Sequence, residues 1–399
     1  MSEFRRRLLA KKGELKTYEI LAIYDVVTTE GETVLLGVDF NISQIVGMNI
    51  DGNNITPTRN YIFNEVGEHV VKLKVSAPID GNSMFRFSML KKIDLSKTIL
   101  LNCNRILSNC TALIEIIMGD TSNVTNMFQA FRDCTSLTSV PLFDTANVTD
   151  LRQAFHSCSK LTSVPLFDTS NATNFSSMFN SCTSLMSVPL FDTSKAELME
   201  AMFYGCSKLT SVPLFDTSKV TNINSIFYGC SKLTSVPKLN TSKVTSMYYV
   251  FNACTSLTSV PLFDTSNVTN FTGFFYSCSS LTSVPWFDTS NATTMRALFR
   301  NCPTLTSIPL LDATKVTDIQ NCFLNTRKIE TIGGFINLKV DIDISLSSVL
   351  SPLSIHNIIE QALGGFTITL HATAKTNWEN SEYYNADQAM ATEKLITIQ

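Results

Sequence analysis

Between residues 110 and 325 the apolar positions of this chain recur every 24 residues, and inside each period they follow two rhythms. Position 1 is the cysteine that opens each copy. Leucine stands at position 4 and valine or isoleucine at position 7, usually ahead of Pro-Leu-Phe. That reads as a short strand ended by a proline, which has no N–H to offer a ladder. Asp-Thr-Ser at positions 11 to 13 is a turn and capping sequence. Apolar residues then occupy positions 15, 18, 21 and 22, as in Val220, Ile223, Ile226 and Phe227. Steps of three and four predict one face of a short helix. Position 24, from Asp133 to Asn325, is small or Asn/Asp, which suits a helix exit. Self-similarity of fixed period means a solenoid whose coils bury their apolar faces only against one another. At the strand spacing of ~4.8 Å, nine copies make a spine of roughly 43 Å. Its expected core is the column Phe131, Phe155, Phe179, Phe203, Phe227, Phe251, Phe275, Phe299 and Phe323.

Strand, turn, helix and return in 24 residues make a leucine-rich-repeat coil. The expected fold class is therefore α/β: nine strand-turn-helix coils, preceded by a small β-sandwich and closed by an α/β cap. Residues 1–16 read as a basic arm or helix. Residues 17–98 carry no trace of the repeat and alternate like strands at Tyr18–Tyr24, Thr33–Gly37, Tyr61–Phe63, His69–Val75 and Met84–Ser88, with turn signals between them; that spacing predicts the sandwich. Residues 99–325 hold a degenerate entry repeat and the array. In 326–399 an amphipathic helix is expected over Ser354–Leu363, with Ile355, Ile358, Ile359 and Ala362 on one face and Gly364-Gly365 as its stop. A strand over Phe366–Leu370 and a last helix over 385–394, before Leu395-Ile-Thr-Ile398, complete the cap that an open solenoid end requires.

Charge and composition narrow the function. A net charge of −3 offers no basic field for nucleic acid. No stretch reaches the roughly 18 apolar residues of a membrane helix, so no membrane insertion is expected. Only Leu8, Leu9 and Ala10 stand before Lys11 and Lys12, too few for a signal-peptide core. Arg5, Arg6, Arg7, Lys11 and Lys12 either dock an acidic surface or solvate a terminal helix. The eleven cysteines are explained by the repeat: nine open its copies, Cys110, Cys134, Cys158, Cys182, Cys206, Cys230, Cys254, Cys278 and Cys302. Their side chains point the same way in a ladder, so they are expected to be reduced, buried thiols acting as small hydrophobes. No pair at CxxC spacing points to zinc.

Comparison of the copies singles out positions 19, 20 and 23, which change in nearly every coil. These 27 positions hold five Tyr, four Arg and four Asn, against one Glu and no Lys. Solvent-facing drift would allow the variation, but drifting surface fills with Lys and Glu. Tyr, Asn, Ser and Arg are the residues of rigid binding surfaces. The steps of one and four place the three positions on one helix face, opposite the core. The candidate binding residues are Tyr204, Tyr228, Tyr248, Tyr249 and Tyr276 at the centre, with Arg132, Arg152, His156, Arg296 and Arg300. The competing face is the strand side, where a near-constant Thr-Ser pair such as Thr210-Ser211 makes a hydroxyl ladder; it reads either as strand solubility or as a contact for a repeating glycan.

Other constellations carry less. Asp120, Asp144, Asp168, Asp192, Asp216, Asp264, Asp288 and Asp312 stack at position 11, with Asn240 in the remaining copy. They read as Asx-turns that cap their own coils rather than as a Ca²⁺ column. His69, His156, His356 and His371 form no metal-ligand pair, and no GxSxG elbow or phosphate loop occurs. No catalytic residue, metal or cofactor is expected.

The phrase LFDTSNVTNFTGFFYSCSSLTSVP resembles the BspA-like leucine-rich repeats, in particular the branch found in mycoplasma lipoproteins; the match covers about 110–325. The resemblance implies a non-enzymatic, surface-exposed adhesion protein. The opening Glu3 to Leu9 and the segment Leu353 to Ile359 resemble proteins of bacteriophages and prophages of gut Bacteroidales. Together they imply a virion protein on the particle exterior, its N-terminal domain attached to other virion proteins and its repeat blade contacting host surface glycan or protein. The alternatives are a bacterial cell-surface adhesin and an intracellular scaffold. Neither ligand nor oligomeric state is written in the sequence, and no coiled coil supports a trimer.

Overall fold

Strand Tyr18–Val26 (β1) alternates buried and exposed residues along its length, as its sequence pattern requires. This is the centre of a sheet in the computed structural model, which describes residues 18–399 apart from Val38 and Arg86. The expected basic arm, residues 1–16, lies outside the described residues. The other strands of this segment are Ile45–Ile50 (β2), Asn53–Ile55 (β3), Gly67–Val75 (β4) and Leu90–Lys97 (β5). β1 runs antiparallel to both β4 and β5, with Ala22 opposite Val71 on one side and Ile93 on the other. A sixth strand, Glu115–Ile117 (β6), pairs parallel with β5, giving the order β6-β5-β1-β4-β2-β3.

In place of the expected two-layer sandwich there is this one large sheet, and Thr33–Val34 with Asn60–Tyr61 form only a separate two-residue antiparallel pair. The reason lies in β6, which belongs to the first coil of the repeat. The inner face of the sheet, with Ala22, Tyr24, Leu73 and Val75, shares one continuous hydrophobic core with Cys103, Ile106 and Leu107 of the entry coil. The end of the solenoid covers that face, so no full second layer is needed.

The solenoid has about twelve turns, more than the nine full copies legible in the sequence. It starts early: the amides of Ile79, Gly81, Ser83 and Phe85 donate to carbonyls of Ile99, Asn102, Asn104 and Ile106. It also ends late, because Thr331–Ile332 and Phe335–Ile336 pair parallel with Ser307–Ile308 and Leu311–Asp312.

The expected helix of each coil does not form; residues 110–325 contain no α-helix. A run of tight turns takes its place. In the first copy Ala130 N–H donates to Met127 O, Arg132 to Gln129 O and Cys134 to Phe131 O. The remaining amides point along the spine, Met127 to Asp150 O, Gln129 to Arg152 O, Phe131 to Ala154 O and Asp133 to His156 O. Gln129 and Asp133, third in their turns, have φ of 55° and 59°, the left-handed conformation that a type II turn requires there. The same sign recurs at positions 20 and 24 through the array, from Gln153 and Ser157 to Asn321 and Asn325. Two left-handed residues in five cannot continue an α-helix. Position 17 adds a second obstacle: Asn126, Asp150, Asn174, Asn222, Asn270 and Asp318 each accept the backbone N–H two residues on. Side-chain bonds of this kind compete with helix.

The core columns are as the pattern predicts. Consecutive rings from Phe131 to Phe323 stack nearly parallel, at centroid spacings from 5.2 Å for Phe131–Phe155 to 6.0 Å for Phe299–Phe323. All eleven cysteines are free and buried. Each thiol in the array donates to a carbonyl one coil back, as Cys206 Sγ does to Phe179 O at 3.1 Å. Burial raises these thiols far above their ordinary pKa; Cys110 and Cys302 at the two ends are pushed up to about 12.

At the C-terminal end, Ile342–Ile344 (β7), Thr367–Leu370 (β8) and Thr397–Ile398 (β9) make a parallel three-stranded sheet. Helix Pro352–Gln361 (α1), N-capped by Ser351, buries Ile355, Ile358 and Ile359 as expected. Helix Ala372–Glu379 (α2) was not foreseen, because its sequence has almost no apolar face; Tyr384–Glu393 (α3) was. Fully buried Asp387 on α3 ties them together, 2.7 Å from His356 Nδ1 of α1 and accepting from Trp378 Nε1 of α2 at 2.7 Å.

Candidate functional site

With turns in place of helices, positions 19, 20 and 23 still face outward. Of the 27 side chains only Gln129, Asn252, Gly273 and Ala297 are buried. Successive coils stack these positions in columns, so neighbours along a column are neighbours in space although 24 residues apart.

The five tyrosines meet. Tyr204 and Tyr228 stack face to face with centroids 4.3 Å apart and planes 7° from parallel. The next residue in their column is Asn252, which is buried. Tyr249 of the same coil takes up the vacated place: it meets Tyr228 edge-on at 6.1 Å, touches Tyr248 at 4.3 Å and reaches Tyr276 at 6.4 Å. The Arg300 guanidinium lies over the Tyr276 ring at 5.4 Å. One aromatic patch therefore spans four coils and ends on a cation. Burial, and then the neighbouring phenol, raise the pKa of Tyr228 and of Tyr248, so both hydroxyls stay protonated donors. Tyr248 is the most open of the five, at 39 % exposure.

Arg132, Arg152 and His156 form a separate cluster nearer the N-terminal end. Phe128 is sandwiched between guanidinium groups, Arg105 at 5.1 Å and Arg152 at 4.5 Å. Beneath it Gln129 receives Arg105 Nε at 2.7 Å and donates to Gln153 at 2.5 Å. Arg132 pairs with Asp133, and Arg152 with Asp150. Burial and the Arg132 charge lower the pKa of His156, which keeps it neutral at physiological pH. Serines and Asn180 of the coil from Cys158 separate this cluster from the tyrosines. Arg296 joins neither and pairs with Asp318 at 3.7 Å. The single face expected from sequence is thus two clusters and an isolated arginine. Arg105 escaped notice because it lies before the first full copy.

The strand side carries a sparse ladder. Thr162 N–H and hydroxyl both reach Thr138 O, and Thr258 repeats this on Thr234 O. The hydroxyls at position 5 are therefore occupied in part by the fold. Position 11 caps its own turn: Asp168 accepts Ser170 N–H, Asp216 accepts Ser218 N–H, and Asn240 accepts Ser242 N–H in the odd copy. The Ser170 hydroxyl and N–H hold the Asp168 carboxyl below the usual range, and the Ser218 N–H and hydroxyl do the same for Asp216. Among the described residues no group of three or more His, Cys, Asp or Glu is arranged to hold a metal ion.

Residues 101–214, 199–307 and 232–335 each match the family described as "Mycoplasma protein of unknown function, DUF285", together more than half of the chain. No curated protein matches. Among solved structures, a leucine rich cell surface protein from Faecalibacterium prausnitzii is 20% identical over 73% of this chain and 85% of its own, with a TM-score of 0.39. The leucine rich repeat protein of T. pallidum is 16% identical over 56% of this chain and 81% of its own, with a TM-score of 0.27.

Proposed function

This chain belongs to the mycoplasma DUF285 family, and from that premise we propose that it is a non-enzymatic recognition protein displayed at a cell surface, gripping a glycan or protein of a host cell. The observation that carries the reading is the tyrosine patch. Five rings from four coils touch one another on the outside of a rigid spine, where nothing in the folding of the repeat calls for them. Tyrosine gives large contact area at low entropy cost, and rings locked by their neighbours lose still less on binding. The arginine cluster does not compete for this role, since Arg132 and Arg152 are already paired and Arg152 already lies on Phe128. In this arrangement the N-terminal sheet attaches the protein to its carrier, the solenoid forms the blade, and the strands and helices of the C-terminal end close it.

The virion setting expected from the sequence gains nothing further. Glu3 to Leu9 lie outside the described residues, and Leu353 to Ile359 fall in α1, where the buried isoleucines have a structural reason.

The test is Tyr248→Ala with Tyr249→Ala, assayed for adhesion to host cells and on a glycan array. Binding should fall at least tenfold while the melting temperature holds. Unchanged binding by a folded variant would remove the patch from consideration. Recovery of the protein from washed bacterial envelopes supports cell-surface display; recovery from purified phage particles would replace it with the virion setting.

A further inference from the structure

Position 9 of the coil is a leucine in six of the nine copies, and five of these leucines face solvent. Leu142 is 68 % exposed, Leu166 61 %, Leu190 61 %, Leu214 62 % and Leu262 48 %, and Trp286 in the same column is 58 % exposed. Variable positions lie elsewhere on the same coils, so free surface positions of this array do diverge. Position 9 stays apolar in eight of the nine copies, although water alone would favour polar residues. Leu142 to Leu214 at about 5 Å intervals, with Leu262 and Trp286 beyond Lys238, make an apolar strip on the order of 600 Å², the upper end of what monomers expose. A standard stable interface needs about 800 Å² from each partner, which the half-buried prolines at position 8 beside the strip bring within reach.

We propose that this strip is the contact between two copies of the chain, paired side by side with their axes parallel. The flanks of the strip select that occupant. One flank is the exposed hydroxyl column of positions 5 and 6, such as Thr210 and Ser211; the other is the exposed carboxylate column of position 11, such as Asp216. A twofold axis parallel to the spine sets each carboxylate column against the partner's hydroxyl column, where charge-assisted hydrogen bonds form. An antiparallel pair would set carboxylate against carboxylate. Lys238 interrupts the strip, in the one coil where Asn240 replaces the aspartate. A pair slipped by one coil would press two lysines onto leucine, whereas in the in-register pair the two Lys238 side chains meet and must turn aside, towards Asp216 and Asp264. A single buried polar position of this kind fixes register in other side-by-side assemblies.

The experiment is light-scattering mass measurement on the full chain at micromolar concentration, with two variants. The wild type should have twice the mass of one chain. Leu190→Asp with Leu214→Asp should halve it at an unchanged melting temperature. Leu190→Cys, whose thiol would be the only exposed one among the described cysteines, should be captured as a dimer by a short bismaleimide. A monomeric wild type would overturn the proposal, whether or not that monomer binds vesicles or another protein. A folded aspartate variant that stays dimeric would overturn it too, and failure of Leu190→Cys to cross-link in a dimer would overturn the parallel pairing.

Discussion

The edge of the Tyr249 ring lies against Gly273, the residue at the same position of the next coil, and a Cβ on Gly273 would overlap that edge. Backbone conformation is not why glycine stands there. Gly273 has φ of 58°, but Ala201 and Ala297 occupy the equivalent place with φ of 52° and 53°. The ring is the reason. Gly273→Ala should therefore cost about 1–3 kcal/mol, as overpacking does, and should weaken ligand binding. In a Tyr249→Ser background, which copies Ser225 of the preceding coil, the stability cost should vanish. Urea titrations of the four proteins in this double-mutant cycle would check it; a cost that persists without the ring would mean that the backbone is responsible.

The phenylalanine column makes a second prediction. Phe227 is buried, with Phe203 stacked at 5.9 Å and Phe251 at 5.7 Å. Phe227→Ala removes both contacts in mid-spine and should destabilise by ~3–5 kcal/mol. A loss below about 1 kcal/mol in chemical denaturation would mean that neighbouring coils collapse into the gap.

Alkaline pH is the third. A buried thiol stays protonated where an unfolded one, with an ordinary value near 9.0, has ionised. The folded state then binds more protons than the unfolded state, so stability falls as pH rises. The contribution is complete below about pH 9 and is lost progressively towards about pH 12, where Cys110 and Cys302 ionise in the fold. The melting temperature should hold from neutral pH to about pH 8.5 and then drop steeply. A thiol reagent added at neutral pH should label none of the eleven cysteines before unfolding. Rapid labelling of the native protein would contradict the buried column.

Much of this molecule is legible because its residues repeat. Cys206, Leu209, Phe215 and Phe227 return at fixed intervals, and all four are buried. Asp216 before Thr-Ser announces its Asx-turn. The helix was misread because Val220, Ile223, Ile226 and Phe227 have helical spacing, yet a chain of tight turns can bury the same four positions. The contrary signal was present in Asn222 and Ser225, one bonding back to the chain and the other in left-handed conformation. The site was legible as a set of variable positions but not as a geometry. Nothing in the sequence says that Asn252 turns inward and that Tyr249 crosses the gap between Tyr228 and Tyr276. The leucines at position 9 read as part of the strand because an apolar residue beside Val212 and Phe215 looks like core; only the folded chain separates Leu214 from its buried neighbours.

The backbone hydrogen bonds that join one coil to the next, Phe131 N–H to Ala154 O, Phe155 N–H to Met178 O, Phe179 N–H to Met202 O, all run lengthwise. Tension applied between the sheet at one end and the cap at the other would load only one coil's worth of them at a time. The blade would peel rather than snap, and each released turn of 24 residues would pay out roughly 80 Å of slack chain. A protein that holds on in moving fluid would gain a shock absorber from the same stacking that builds its core.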